Sequence, residues 1–322
     1  MIRTAECVSP MHPDKMCDRI SDTLLDLHLT NDPYSRVAIE TCGGNGLVYV
    51  TGEVTSEYKV TQQQIEHIVK DITKDENIKV IINLNQQSLE IANGVDNGGA
   101  GDQGIMTGYA CRENEEYLPQ EYYLARTLNK YVYANYPYDG KTQITLDRNR
   151  VRVVCSFQNA KNTELYTLVT TFFKEYFPQY TLEEIHVNPA GDWNIGGFTA
   201  DAGLTGRKLA VDNYGPRIPI GGGAFSGKDA TKVDRSAAYM ARRVAVDILE
   251  QRPEVNEVFV QLAYAIGYDQ PLQATAVVDG VEEKIQGYDL SPQGIIHFLG
   301  LREPIFTGTA AFGHMGAGFN WK

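Results

Sequence analysis

Residues 221–236, GGGAFSGKDATKVDRS, combine glycines with closely spaced lysines, a composition suited to binding phosphate groups. The stretch nearly matches the Walker A pattern, because a glycine is followed after four residues by Gly227 and Lys228. That pattern next requires a serine or threonine for magnesium, but the residue is Asp229. A Walker A loop also follows a strand, whereas the preceding YGPRIPI segment contains two prolines, which cannot donate to a β-ladder. We therefore expect a phosphate-binding loop of another kind.

Lys228 and Lys232 lie four residues apart where a helix is predicted to begin, and Asp234 follows two residues later. A helix N-terminus favours anions, so the two lysines could clamp phosphates there. Asp234 could then hold a magnesium ion shared with those phosphates. The alternative is a solvated, charged helix face.

His12 and Asp14 at the start of the first predicted helix also allow two interpretations. A histidine before a proline is more often a structural cap than a catalyst, and Asp14 could simply complement the helix dipole. Asp18, Asp22 and Asp26 continue at four-residue spacing and predict a solvated face. Because there is no HExxH motif, Ser-His-Asp order or nucleophile elbow, the sequence gives no strong signal for covalent catalysis.

Glycines cluster at residues 94–104, 194–198, 203–208 and 221–228, each time beside an acidic or basic residue. Any one cluster could be a surface turn. Glycine also lets the backbone approach a ligand closely. Four such clusters together favour a polyanion site lined by backbone.

Composition narrows the function classes further. The 322 residues include 41 acidic and 29 basic ones, and a net charge of −12 argues against broad binding to nucleic acid or acidic membranes. Five scattered cysteines without a CxxC pair fit a reducing compartment. No apolar run approaches the roughly 20 residues that span a bilayer, and no signal peptide is apparent. We expect a cytoplasmic protein.

The elements that must position these residues recur in a fixed order. Helix, strand pair and helix follow one another three times, starting near residues 13, 120 and 234. Thr61 and Gln64 predict a capping box, and a GGNG turn between two β-rich runs predicts a hairpin. Antiparallel hairpins backed by helices indicate an α+β fold rather than a doubly wound sheet. We predict three interleaved repeats over residues 1–98, 99–195 and 196–322.

Six strings carry a resemblance to a known family. They are HPDK (12–15), GAGDQG (99–104), GLTGRK (203–208), GGGAFSGKD (221–229), KVDRSAAY (232–239) and TAAFGH (309–314). In this order and spacing they resemble S-adenosylmethionine synthetase, also called methionine adenosyltransferase, over nearly the whole chain. The resemblance implies three pseudo-threefold α+β repeats, with helices packed on mixed and antiparallel sheets.

The resemblance also implies a reaction. The sulfur of L-methionine attacks C5′ of the ATP ribose and displaces the whole triphosphate, which is then hydrolysed to pyrophosphate and phosphate. Two Mg²⁺ ions per site and K⁺ would assist. The implied assembly is a homodimer with active sites shared between subunits, which could pair into a dimer of dimers.

By motif, the resemblance implies a role for each of fifteen residues. His12 would lie at the ribose O5′, and the phosphates would contact Lys141, Arg207, Lys208, Lys228 and Lys232. Asp14 and Asp234 would hold Mg²⁺, and Glu40 would be associated with K⁺. Glu53, Gln87 and Asp201 would bind methionine, whereas Asp102, Asp139 and Trp193 would bind adenosine.

The chain departs from the family pattern at several points. Pro10-Met11 replaces Glu-Gly, Asp192-Trp193 replaces Arg-Phe, and Pro219-Ile220 replaces Arg-His. The loop before GAGDQG is shortened to GVDNG, and the tail ends early at Lys322. If this loop serves as a lid over the active site, a shorter lid would exclude water less well, admit larger methionine analogues or change product release. Unchanged kinetics and analogue range after insertion of a longer loop would count against this hypothesis.

Two other function classes stay open from sequence. A catalytically weak relative could serve as a regulatory or scaffolding subunit, although it would not need to retain all of these charged residues. A different ATP-dependent enzyme, such as a kinase or a triphosphatase, is the other alternative. Product analysis separates them, because only the adenosyl transfer yields a sulfonium product.

Overall fold

The computed structural model describes residues 1–86 and 99–322. Within these residues, three four-stranded sheets are backed by helices. The helices are α1 (Pro13–Asn31), α2 (Gln62–Thr73), α3 (Gln120–Asn135), α4 (Asn162–Tyr176), α5 (Leu209–Asp212), α6 (Val233–Gln251) and α7 (Pro292–Leu299), with a 3₁₀ turn at Gly197–Thr199. The strands are β1 (Arg3–Val8), β2 (Arg36–Gly44), β3 (Leu47–Thr55), β4 (Lys79–Asn85), β5 (Gly104–Cys111), β6 (Gly140–Asp147), β7 (Arg150–Phe157), β8 (Thr181–Val187), β9 (Gly203–Leu204), β10 (Glu257–Tyr264), β11 (Gln273–Val278) and β12 (Val281–Lys284). The predicted α+β class and the threefold order of helix, hairpin and helix are confirmed.

Local signals placed the helix starts and hairpins correctly. Thr61 and Gln64 form the reciprocal capping box of α2, and Ser291 caps α7 by accepting the N–H of Gly294. These caps satisfy N–H groups that have no partner inside the helix. The β2–β3 hairpin turns through Asn45 and Gly46, whose φ angles are 50° and 75°. Positive φ at both turn residues matches the twist of the paired strands.

Strand order links the three repeats. The N-terminal sheet has the order β4-β3-β2-β9, the central sheet β1-β6-β7-β8, and the C-terminal sheet β12-β11-β10-β5. Six strands were not predicted from the sequence: β1, β4, β5, β8, β9 and β12. Three of these strands join a sheet built mainly from another part of the chain: β1 pairs with β6, β5 with β10 and β9 with β2. Such pairings have no local signature.

The loop at residues 221–229 follows α5 and an irregular segment instead of a strand, as predicted. It lies along the edge of β2. The N–H of Ile39 donates to the carbonyl of Gly227 (2.9 Å), and the N–H of Asp229 donates to the carbonyl of Val37 (3.0 Å). An isolated antiparallel bridge links Ala38 to Lys228. The N-terminal sheet therefore fixes the backbone on both sides of Lys228.

The prediction that Asp18, Asp22 and Asp26 form a solvated face of α1 is wrong. Asp18 and Asp22 are fully buried, and Asp26 is partly buried. Segments far along the chain cover this face, and their backbone N–H groups donate to the carboxylates. A four-residue spacing places side chains on one helix face. It does not determine whether water or protein covers that face.

Close packing of α6 on β5 gives a first prediction. A Cβ added at Gly108 would come within 3.0 Å of the backbone at Ala241. The clashing atoms of Ala241 belong to the main chain and cannot rotate away as a side chain could. Only separation of α6 from β5 therefore relieves the clash. Gly108→Ala is expected to lower the free energy of unfolding by about 2–3 kcal/mol, measured by urea denaturation.

Gly222→Ala is the matched control, because its added Cβ meets no atom within 4 Å. We expect it to change the free energy of unfolding by about 0.5 kcal/mol or less. Equal unfolding curves for the two alanine variants would contradict the close approach of α6 to β5.

Candidate active site

His12 is the N-cap of α1, and its Nδ1 accepts the N–H of Asp14 at 3.2 Å. Burial lowers the pKa of His12 to about 4, and the positive charge of Lys208 acts in the same direction, while Asp14 opposes it. The ring is therefore neutral near pH 7. Since Nδ1 is an acceptor, the proton lies on Nε2, which is available to a ligand. The expected capping role is present, and among residues 1–86 and 99–322 it leaves the Nε2–H donor without a hydrogen-bond partner.

Asp14 lies beneath two basic side chains. Its Oδ1 accepts the N–H of Leu204 at 3.0 Å, and its Oδ2 accepts a hydrogen bond from Lys208. The Nε of Arg207 lies 3.7 Å from Oδ1. Although burial opposes it, hydrogen bonding to Lys208 and Leu204 lowers the pKa of Asp14. The carboxylate is thus charged and holds both cations at the start of α1.

The glycine-rich segment 203–208 packs on the first turn of α1 instead of forming a surface turn. A Cβ added at Gly203 would come within 3.0 Å of the carbonyl of Pro13. Gly206 has φ 78°, which a side chain would disfavour, and donates its N–H to Asp18 at 2.8 Å. These two glycines allow the backbone to bring Arg207 and Lys208 to Asp14.

Asp139 and Lys141 approach the same region from the start of β6. Asp139 accepts the N–H of Gly197 at 3.0 Å, and burial raises the pKa of its carboxyl. Lys141 is half-exposed and pairs with Glu6 at 2.6 Å. The positive charge of Lys141 lowers the pKa of His12, and the negative charge of Asp201 raises it. The Asp201 side chain is exposed.

The 192–197 segment carries the departure Asp192-Trp193. The Nε1 of Trp193 donates to Asn188 at 3.1 Å, and its ring stays partly exposed. Asp192 accepts the N–H of Asn162 at 3.1 Å, in the first turn of α4. A carboxylate there complements the helix dipole, so the reversed charge has a local partner. We call His12, Asp14, Asp139, Lys141, Trp193, Asp201, Arg207 and Lys208 the first group.

A second group surrounds the loop at residues 221–232. Lys228 pairs with Asp234 at 2.6 Å, and Lys232, the N-cap of α6, pairs with Asp229. A Cβ at Gly223 would come within 3.0 Å of the Asp234 carboxylate. Glycine at this position therefore leaves space for the carboxylate beside the loop.

Glu53 and Glu40 lie on the two central strands of the N-terminal sheet. Glu53 pairs in register with Ala38, the residue that bridges to Lys228, and Glu40 pairs with Thr51. Asp102 is exposed and lies shortly before β5. We call Glu40, Glu53, Asp102, Lys228, Lys232 and Asp234 the second group. Gln87 and the shortened loop at residues 94–98 lie outside the described residues.

Among the described residues, the polar side chains of the two groups do not contact each other directly. Across residues 1–86 and 99–322, no direct hydrogen bond or ion pair joins a side chain of the first group to one of the second. The same residues contain no cluster of three or more His, Cys, Asp or Glu side chains that could hold a metal. Asp14 and Asp234 each offer one carboxylate. That donor set fits Mg²⁺, which commonly binds through one or two carboxylates together with phosphates and water.

Sequence reasoning missed the buried ions behind both groups. Lys15 is fully buried, with its Nζ 2.6 Å from Asp212 and 3.0 Å from Asp18. Burial raises the pKa of Asp18, the nearby Asp212 acts in the same direction, and the positive charge of Lys15 opposes the shift. Asp22 and Arg235 form a second, fully buried pair at 2.7 Å. The only available signal was the four-residue spacing along α1.

Three family models together match almost the whole chain. The N-terminal, central and C-terminal domains of S-adenosylmethionine synthetase match residues 1–97, 97–193 and 195–322. The chain belongs to the S-adenosylmethionine synthetase family. Family membership confirms the predicted identity as a methionine adenosyltransferase, an enzyme that makes S-adenosylmethionine.

Individual S-adenosylmethionine synthetases are similar to this chain over almost its whole length. S-adenosylmethionine synthase 2 of Rhodospirillum rubrum is 40% identical over 370 positions, covering 99% of this chain and 94% of the relative. The synthase of Parvibaculum lavamentivorans is 39% identical, with 99% and 95% covered. The solved structure of an unusual S-adenosylmethionine synthetase from Campylobacter jejuni has a TM-score of 0.88 at 33% identity, covering 99% of this chain and 96% of that one.

The alignment with the R. rubrum relative is longer than the 322 residues of this S-adenosylmethionine synthetase. That relative therefore carries residues with no counterpart here. Among the described residues, no helix combines the length and apolar character needed to cross a membrane.

Proposed function

We propose that the chain transfers the adenosyl group of ATP to the sulfur of L-methionine and then hydrolyses the released tripolyphosphate to pyrophosphate and phosphate. One observation carries this proposal. Basic side chains converge on buried or partly buried carboxylates at two glycine-rich segments, Lys208 and Arg207 on Asp14, and Lys228 on Asp234. These carboxylates hold the basic side chains in place before a polyanion binds.

The proposed reaction needs positive charge where the leaving triphosphate gains negative charge. Fixed cations in a site that excludes water stabilise such a transition state without reorganising. We assign this role to Lys141, Arg207, Lys208, Lys228 and Lys232. All of them pair with carboxylates of the protein, and phosphate oxygens would compete for the same donors.

His12 is proposed to donate from Nε2–H to the ribose O5′ as the bond to C5′ breaks. A neutral imidazole whose Nδ1 is held by the Asp14 N–H presents this donor in a fixed direction. Trp193 would stack on adenine, with Asp139 and Asp102 binding the rest of adenosine. Glu53, Gln87 and Asp201 would bind methionine.

Mg²⁺ would be held by Asp14 and Asp234, two ions per site, and K⁺ would be associated with Glu40. When bound, these cations supply positive charge to the phosphates. Lys208 and Lys228 now neutralise the two aspartates, so they would move to phosphate oxygens when a metal takes the carboxylate.

We propose a homodimer in which each active site combines the first group of one subunit with the second group of its partner. Within the described residues of one chain, no hydrogen bond or ion pair joins side chains of the two groups. Such dimers could pair further into a dimer of dimers. Lys208→Ala and Lys228→Ala should each be inactive alone. Mixed at equal amounts and allowed to exchange subunits, they should recover about a quarter of wild-type activity, since half of the dimers then carry one intact site. No recovery despite verified subunit exchange would contradict a shared site.

The proposed chemistry is tested by mass spectrometry of the products formed from ATP, L-methionine, Mg²⁺ and K⁺. We expect S-adenosylmethionine, pyrophosphate and phosphate, all lost in Lys228→Ala. ADP with a phosphorylated acceptor, or phosphate release without a sulfonium product, would refute the proposal.

The tautomer of His12 gives a further prediction. In His12→Gln the amide nitrogen can replace the Nε2 donor, whereas in His12→Asn it lies nearer the position of Nδ1. We expect kcat to fall about 10-fold or less for His12→Gln but about 100-fold or more for His12→Asn, as for other lost transition-state donors. Because the pKa of His12 is lowered to about 4, its protonation should cause no loss of wild-type kcat between pH 8 and 5. Equal losses in the two variants would contradict donation from Nε2.

A further inference from the structure

Four aspartates of α1 form what we call the acidic stripe: Asp14, Asp18, Asp22 and Asp26. Their four-residue spacing puts them on one face of the helix. Each accepts a backbone N–H from a segment outside α1, namely Leu204 (3.0 Å), Gly206 (2.8 Å), Gly227 (2.8 Å) and Phe306 (3.0 Å), respectively. One rigid helix thus fixes the backbone of several remote segments.

Asp18 fixes the turn that carries Arg207 and Lys208. Its Oδ1 accepts the N–H of Gly206, the residue just before them. Its Oδ2 lies 3.0 Å from the Nζ of Lys15, which also holds Asp212. All three side chains are buried, so the carboxyl group of Asp18 cannot turn toward water.

Asp22 fixes the backbone on both sides of Lys228. Its Oδ1 accepts the N–H of Gly227, and its two oxygens accept hydrogen bonds from Arg235 at 2.7 and 2.9 Å. Arg235 in turn donates to the carbonyl of Lys228 at 3.0 Å. The buried pair therefore holds the N–H before the Lys228 side chain and the carbonyl after it.

We infer that Asp18 and Asp22 are positioning residues for the phosphate-binding cations: Asp18 orients Arg207 and Lys208, and Asp22 orients Lys228. The inference rests on the proposed function, which assigns those cations to phosphates. Lysine and arginine side chains lose much rotamer freedom when they are fixed. A backbone already held at their base reduces the reorganisation needed in the transition state.

The stripe provides its own control. Asp26 accepts the N–H groups of Phe306 and Thr307 and the hydroxyl of Thr307, all outside both groups. It makes the same kind of backbone hydrogen bond on the same helix face. Its loss should affect folding without moving any phosphate-binding cation.

The experiment compares Asp18→Ala, Asp18→Asn and Asp26→Ala in the full chain. In Asp18→Ala, Lys15 keeps Asp212, so the buried lysine stays paired. Asp22→Asn is included because its amide oxygen can still accept the N–H of Gly227, whereas alanine would remove this acceptor as well as the charge. Folded fraction, kcat, KM for ATP and binding of inorganic tripolyphosphate with Mg²⁺ are measured for each variant.

At equal folded fraction, Asp18→Ala should lower kcat about 10- to 100-fold, because misplacement by about 1 Å can cost 100-fold. It should also weaken tripolyphosphate binding about 10-fold, because hydrogen bonds from Arg207 and Lys208 to the phosphates would break or lengthen. Asp18→Asn and Asp22→Asn, which keep the acceptor, should remain within about 5-fold of wild type in kcat, and Asp26→Ala within about 2-fold.

Losses that merely follow the folded fraction, equally in Asp18→Ala and Asp26→Ala, would overturn the inference. So would failure of Asp18→Asn to recover activity and tripolyphosphate binding. The binding measurement separates this inference from the proposed function. If the wild type made no S-adenosylmethionine but bound tripolyphosphate in a way that depended on Asp18 and not on Asp26, the positioning role would stand and the proposed reaction would fall.

Discussion

Asp22→Ala should lower the free energy of unfolding by about 3–5 kcal/mol, the cost typical of removing one partner from a buried ion pair. Asp22 and Arg235 are both fully buried, and the guanidinium bonds both carboxylate oxygens. Without Asp22, the acceptors left to the guanidinium among the described residues are neutral, namely the hydroxyls of Thr309 and Tyr239 and the carbonyl of Lys228. The cost of removing the guanidinium charge from water is then no longer offset by an opposite charge. Urea unfolding monitored by circular dichroism measures the change.

Two controls separate buried charge from a general effect of mutation. Asp71→Ala breaks the pair with Lys74, whose side chains are 68% and 67% exposed, and should cost about 1 kcal/mol or less. Asp22→Ala combined with Arg235→Met removes both buried charges and should recover part of the loss. If the double variant were less stable than the sum of the single changes, the cost would not arise from an unpaired charge.

Asp234→Asn should reduce kcat/KM about 100-fold or more while leaving the free energy of unfolding within about 1 kcal/mol of wild type. The substitution preserves shape and an oxygen facing Lys228, but it removes the negative charge proposed to hold Mg²⁺. A 100-fold loss corresponds to about 2.7 kcal/mol of transition-state stabilisation. Steady-state kinetics over a range of Mg²⁺ concentrations measure it, and half-maximal activity should require more Mg²⁺ than in the wild type.

Asp71→Asn is the matched control for charge removal, since Asp71 also pairs with a lysine but lies on the exposed end of α2, outside both groups. We expect its kinetics to equal those of the wild type. Wild-type activity with an unchanged Mg²⁺ requirement in Asp234→Asn would remove this residue from the metal site.

Much of the fold was readable from local sequence. The capping box of Thr61 and Gln64 and the two-residue turn at Asn45 and Gly46 form within a few residues, so their signals are complete in a short segment. The sheets were not readable in the same way. The pairing of β1 with β6 joins Ala5 to Ile144, which no local pattern of either strand specifies.

The glycine-rich strings were informative about the candidate site because several of their positions have no room for a side chain. A Cβ at Gly203 or Gly223 would come within 3.0 Å of the Pro13 carbonyl or the Asp234 carboxylate. Only glycine fits such approaches, and the strings therefore mark places where backbone meets an ion or a helix end. The glycines in these strings therefore marked, from sequence alone, the segments that carry Arg207, Lys208 and Lys228.

By itself, the sequence determined the α+β class and the motifs that contain the charged residues, because caps, turns and close glycine contacts depend on residue type at fixed spacing. Those motifs also carried the resemblance to the family. Only the tertiary structure decided that Asp18 and Asp22 are buried and which charged side chains pair directly with one another. The same four-residue spacing suits a face covered by water or by protein. The burial of this face of α1 depends on segments around residues 206 and 227, which lie 188 and 205 positions from their aspartates, and on the hydrogen bonds they donate.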